Sequence, residues 1–146
     1  IESTIAALRP AIDGIVASMT DLGAVDDAGY ARNRALSLTR TGRSRRAVEA
    51  HLANKGVDQD TTREALNDSL GERSDSSAQE AELAAALVLA RKRRLGPFQS
   101  PDREEEDPLK ALGVFARNGF SRDVAQSVLD MDSDEAEDRI IAFRSL

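Results

Sequence analysis

A chain of 146 residues has room for one ordinary domain or a short array of small repeats. It holds no cysteine and one histidine, so disulfides and thiolate zinc sites are excluded and any metal would need carboxylates. Aromatics at 3% disfavour a strand-rich fold, and a net charge of −6 argues against a bulk electrostatic DNA binder, whose domain would be basic.

The first predicted helix carries Ile12, Ile15, Val16, Met19 and Leu22 on one face, with Pro10 near its start and Gly23 as its stop. A second begins at Asp26–Asp27. Asp26 as N-cap puts Val25 and Tyr30 at the spacing of a hydrophobic staple, which favours capping over a paired-carboxylate site. It runs through Ala31, Leu36 and Leu38 to Gly42. Ser44 caps a third helix, with Val48 and Leu52 inward and Gly56 as stop, and Asp58 caps a fourth through Ala65, Leu66 and Leu70. Gly71 to Ser77 reads as a linker. The fifth helix is expected over Gln79 to Leu95, striped by Leu83, Leu87 and Ala90, and Gly96 to Glu106 as a loop. Asp107 and Pro108 open a sixth helix carrying Leu109, Leu112 and Phe115, which ends at Gly119. Ser121 caps a seventh, with Val124, Val128 and Leu129 inward. Asp132 caps the last, where Glu135 has capping-box spacing.

The chain repeats itself. Val48, Leu52, Lys55, Gly56 and Val57 are echoed 63 residues on by Ala111, Phe115, Asn118, Gly119 and Phe120, and Thr61 and Ala65 by Val124 and Val128. Ala35 to Leu38 finds its echo in Ala86 to Leu89, 51 residues on. Each unit therefore reads as three helices, with a glycine between the second and third. Such short helices cannot each bury a face alone, so neighbouring units must stack.

Charge is uneven along the chain. Acids crowd 102–107 and 130–138, and cations crowd 40–46 and 91–94. Arg45 and Arg46 fall in the first turn of a helix, where the dipole disfavours cations, so stability does not ask for them there. With Arg40, Arg43 and free helix N–H groups they make a candidate site for phosphate or for a partner's carboxylates. Arg91, Lys92, Arg93 and Arg94 form a second candidate patch, at a helix C-terminus where the dipole also favours them. His51, without a Ser or Asp constellation, reads as structural, and Glu104 to Asp107 as a solvated loop that donates a cap. Neither P-loop, G-x-G-x-x-G, H-E-x-x-H nor G-x-S-x-G occurs, so no residue is a candidate for catalysis and no cofactor is expected.

Residues 22 to 66 carry a distinctive string: Leu22-Gly23-Ala24-Val25-Asp26-Asp27, then Tyr30-Ala31, Arg40-Thr41-Gly42-Arg43-Ser44, and Leu52-Ala53-Asn54-Lys55-Gly56-Val57-Asp58. This resembles the central repeat of the RecX family. Leu95-Gly96-Pro97-Phe98 and Phe115 to Ser121 look like the divergent last repeat of some bacterial members, and the resemblance covers roughly residues 10 to 130. It implies an all-α fold of tandem three-helix repeats in an elongated or curved array. Residues 1–25 would then supply the last helix of a truncated first repeat, 26–70 the second repeat, and 71–77 a linker. Residues 78–131 would form the third repeat, with an inserted loop at 97–106, and 132–146 a C-terminal helix. The starting residue, Ile1, fits a chain whose N-terminal segment is missing.

The resemblance also implies a function. RecX proteins bind filaments of the recombinase RecA on DNA and suppress its ATPase and strand exchange, in the setting of recombination, repair and the SOS response. This chain is accordingly expected to be a non-enzymatic, cytoplasmic, monomeric regulator, whose partner is the RecA filament with DNA inside it and not a membrane. Two alternatives stand beside it. Three-helix units with a glycine turn also look like helix-turn-helix DNA-binding modules, though the charge and the lack of base-reading Asn or Gln on the Ser44 helix oppose this. The other is a helical-repeat adaptor for a different protein.

Overall fold

A computed structural model describes residues 27–102 and 107–145. The expected helix around Ile12–Leu22, its Val25–Asp26 junction with the next, and residues 103–106 of the acidic run lie outside them. Among the described residues every regular element is helical. α1 spans 27–40, α2 Arg45–Asn54, α3 Gln59–Leu70 and α4 Ser76–Arg93, followed by a 3-10 turn, Gly96–Phe98. α5 spans Pro108–Arg117, α6 Arg122–Leu129 and α7 Ser133–Arg144. No described helix is long and apolar enough to cross a membrane.

Capping chemistry sets most of the starts. Ser44 Oγ accepts from Ala47 N at 3.1 Å, Asp58 Oδ1 from Thr61 N at 2.8 Å, and Asp107 Oδ1 from Leu109 N at 3.0 Å. Ser121 Oγ and Asp132 Oδ1 do the same for Val124 N and Glu135 N. The Asp132 cap is half of a capping box: the Glu135 carboxylate accepts from Arg139 instead of reaching back to the cap. α4 starts at Ser76, inside the expected linker, with Asp75 as N-cap residue but no side-chain cap bond. It stops before Leu95 because Arg94 adopts a left-handed conformation (φ 55).

The units match in backbone as in sequence. After α2 and α5 the chain turns through Gly56 (φ 83) and Gly119 (φ 85), with Val57 N donating to Leu52 O and Phe120 N to Phe115 O. These are Schellman turns, whose positive φ suits glycine. Burial follows the same 63-residue offset: Val48 and Ala111, Leu52 and Phe115, Val57 and Phe120, and Ala65 and Val128 are all buried pairs. α1 and α4 also end alike. Arg43 N donates to Leu38 O and Leu95 N to Ala90 O, which sets their correspondence at 52 residues, one more than the side-chain echo predicts. Gly42 (φ 101) thus corresponds to Arg94, where a side chain tolerates the strain.

Two hydrophobic clusters result. One gathers Ala31, Ala35, Leu38, Val48, Leu52, Leu66 and their neighbours from α1, α2 and α3, together with Ala81. The other gathers Leu87, Ala111, Phe115, Phe120, Val128 and Ile140 from α4 to α7. α4 joins them. Its run from Ala84 to Ala90 is buried throughout, as a helix apolar all round must be. α7 also reaches both, with Ala136 and Ile140 in the second cluster and Phe143 packed on the first. Leu109, expected on the apolar stripe of α5, is instead 72% exposed, because it sits in the first turn ahead of the face that Ala111 and Phe115 bury.

Candidate functional site

The expected anion site at the start of α2 forms, but a carboxylate of the chain itself fills it. Arg45 N donates to Glu82 Oε2 at 3.0 Å, which satisfies a first-turn amide from α4. The Arg45 side chain turns the other way. Its Nη1 donates to Gly71 O at 2.8 Å and its Nη2 to Asn67 Oδ1 at 2.9 Å, tying α2 to the end of α3. Burial, and then the Arg73 charge, lower its pKa. Burial also raises the Glu82 carboxyl, outweighing the stabilising Arg45 N–H and guanidinium.

Around this internal pair the surface is open. Two grooves of about 960 Å³ each flank α2, and both are lined by Arg45, Arg46, Glu49 and Arg73. The first runs between α2, the start of α4 and the Gly119–Ser121 turn with α6. The second lies between α2 and α3. Arg46 is exposed, and Arg73 Nη2 pairs with Glu49 Oε1 at 2.7 Å across the groove mouths.

The two basic patches, far apart in sequence, meet in part. The Arg40–Arg43 turn packs on the last turns of α4: a Cβ on Gly42 would stand 3.1 Å from Leu89 N. Lys92 Nζ donates to the Thr41 carbonyl. Arg43 and Lys92 are exposed on either side of this junction, and Arg40 is half-buried. Arg91 faces Glu137 of α7 at 3.8 Å, and Arg93 and Arg94 point to solvent. The candidates therefore divide. Arg45 is committed to the fold, Arg43, Arg46, Lys92, Arg93 and Arg94 are presented outward, and Arg40 and Arg91, both half-buried, lie between the two groups.

One group escaped the sequence reading. His51, read as structural, is half-buried at the surface, where Arg34 Nε donates to its Nε2 at 3.4 Å. Its partial burial and the charges of Arg34, Lys55 and Arg43 hold the imidazole below the usual histidine range. The His51/Lys55 spacing of four was legible as one helical face, but Arg34 joins only through the packing of α1 on α2.

Comparison with known proteins gives these elements a family. Residues 26–66, which hold α1, α2 and most of α3, match the model for the RecX second three-helix domain. The chain is similar to the regulatory protein RecX of Agrobacterium fabrum, at 36% identity over 79% of this chain. It is similar also to that of Myxococcus xanthus, at 35% identity over 82% of this chain. It spans 56% and 60%, respectively, of the length of those two relatives. No solved structure gives a significant match. The three-helix domain and the relatives that extend beyond it on the same chain place this protein in the RecX family.

Proposed function

We propose that this chain binds the filament that RecA forms on DNA and lowers the recombinase's ATP turnover and strand exchange, without catalysing a reaction itself. The observation that carries the reading is the RecX second three-helix domain at 26–66, in a chain whose relatives are named regulatory proteins. The division into a truncated first repeat at 1–25, a second at 26–70, a linker at 71–77, a third at 78–131 and a terminal helix at 132–146 belongs to the same reading. Within it, Arg43, Arg46, Lys92, Arg93 and Arg94 face the filament, and Arg45 holds α2 in place. A chain of net charge −6 with local cationic faces suits a protein partner that itself carries nucleic acid. Docking across neighbouring protomers would restrain the motions that ATP turnover requires.

The test is RecA's DNA-dependent ATPase rate, measured with and without this chain. A rate that falls as the chain approaches stoichiometry with RecA is the expected result. An unchanged rate at stoichiometric excess would remove the proposal.

A further inference from the structure

Four side chains from three elements converge where α1 meets the second half of α2. Arg34 comes from α1, Arg43 from the turn that follows it, His51 from α2 and Lys55 from the C-cap of α2, four residues on. The C-terminal end of α2 accounts for Lys55 and His51, because the helix dipole favours cations there. It does not account for Arg34 and Arg43, whose charges arrive from other elements and oppose protonation of the ring. Packing alone gives no reason to gather these charges, and an acidic chain does not need them for solubility.

We propose that the Arg34, Arg43, His51 and Lys55 cluster is a phosphate-binding site, and that its ligand is a nucleic-acid backbone. Guanidinium forks match phosphate oxygens, and an ammonium on the same face adds a second point of charge. Cations drawn from three elements suit the successive charges of a polyphosphate chain better than one carboxylate. The Arg34–His51 bond fixes what binding must change. His51 Nε2 accepts that bond only while it carries no proton, and the neighbouring cations favour that form in the free protein. A phosphate oxygen between the two groups accepts from Arg34 Nε and from a newly protonated His51 Nε2, so binding takes up one proton from solvent. The site therefore strengthens as pH falls through the histidine range. Arg34, Lys55 and Arg43 are the charged groups acting on the ring from α1, from the C-cap of α2 and from the turn between the two helices. The proposal rests on the filament reading only for where the nucleic acid comes from in the cell.

Because the chain has one histidine, its ring resonances report on this site alone. The experiment is an NMR pH titration of His51 in the full chain, free and then with a single-stranded oligothymidylate, inorganic phosphate or oligoglutamate. With the oligonucleotide, the His51 pKa is expected to rise by about half a unit or more, and inorganic phosphate should shift it in the same direction at much higher concentration. Arg43→Gln, at an exposed turn position, should weaken oligonucleotide binding and reduce the slope of log K against log salt by about 0.7. A His51 titration indifferent to the oligonucleotide overturns the site. So does a response to oligoglutamate as large as that to oligothymidylate, which would assign the cluster to an acidic protein surface. None of these measurements contains RecA, so their failure is distinct from a failure to inhibit its ATPase.

Discussion

Gly119, in the turn between α5 and α6, stands against Ser44, the N-cap of α2: a Cβ built on the glycine would lie 2.5 Å from Ser44 Oγ. That hydroxyl is fully buried and accepts from Ala47 N, so it has no room to yield. The unit of α4, α5 and α6 thus docks its glycine turn on the cap that starts α2, the middle helix of the α1–α3 unit. Gly56 is its counterpart, with nearly the same φ but nothing within 4 Å of an added Cβ.

This pair separates local strain from docking. Gly56→Ala should cost about 1 kcal/mol, the strain of a side chain at positive φ. Gly119→Ala should cost roughly 1–3 kcal/mol more, because the cap must shift as well. Urea unfolding of the two variants measures the difference, and equal losses would mean that the two units do not meet at this point.

Glu82 should make stability depend on acidity. Its folded pKa is raised by burial, so its contribution to stability is complete below the unfolded carboxyl value and is lost as pH rises through the folded one. Glu82→Gln keeps an acceptor for Arg45 N–H and carries no charge. It should therefore match or exceed the parent at neutral pH and flatten the acid side of the stability profile. Glu82→Ala leaves that amide without its partner and should lose about 1–3 kcal/mol. Thermal melts of the three proteins between pH 4 and pH 8 check the ordering, and a parent more stable than Glu82→Gln at neutral pH would contradict it.

Adjacent arginines on α2 should part company. Arg45→Ala deletes two hydrogen bonds from a half-buried guanidinium and should cost roughly 2 kcal/mol. Arg46→Ala, at an exposed position, should stay within about 0.5 kcal/mol of the parent. For the filament the order reverses. Arg46→Glu should weaken inhibition of the RecA ATPase while the melting temperature holds, and full inhibition by that variant would take Arg46 out of the docking face.

Local chemistry in the sequence determined a good deal. Ser44, Asp58, Asp107, Ser121 and Asp132 each announce a helix start, because a short polar side chain satisfies an amide two or three residues on whatever the rest of the chain does. Gly56 and Gly119 announce turns because positive φ is a backbone requirement, and the 63-residue echo between them gave the repeat. The string from Leu22 to Asp58 gave the family. Tertiary packing decided how each arginine is used. Arg45 and Arg46 are indistinguishable in sequence, yet one is tied to Gly71 and Asn67 while the other faces solvent. The anion at the start of α2 is Glu82, 37 residues away, and Arg34 meets His51 across 17. Such pairings depend on which helix faces turn toward each other, and that follows from burying both hydrophobic clusters around α4, a condition on the whole chain that no local pattern contains.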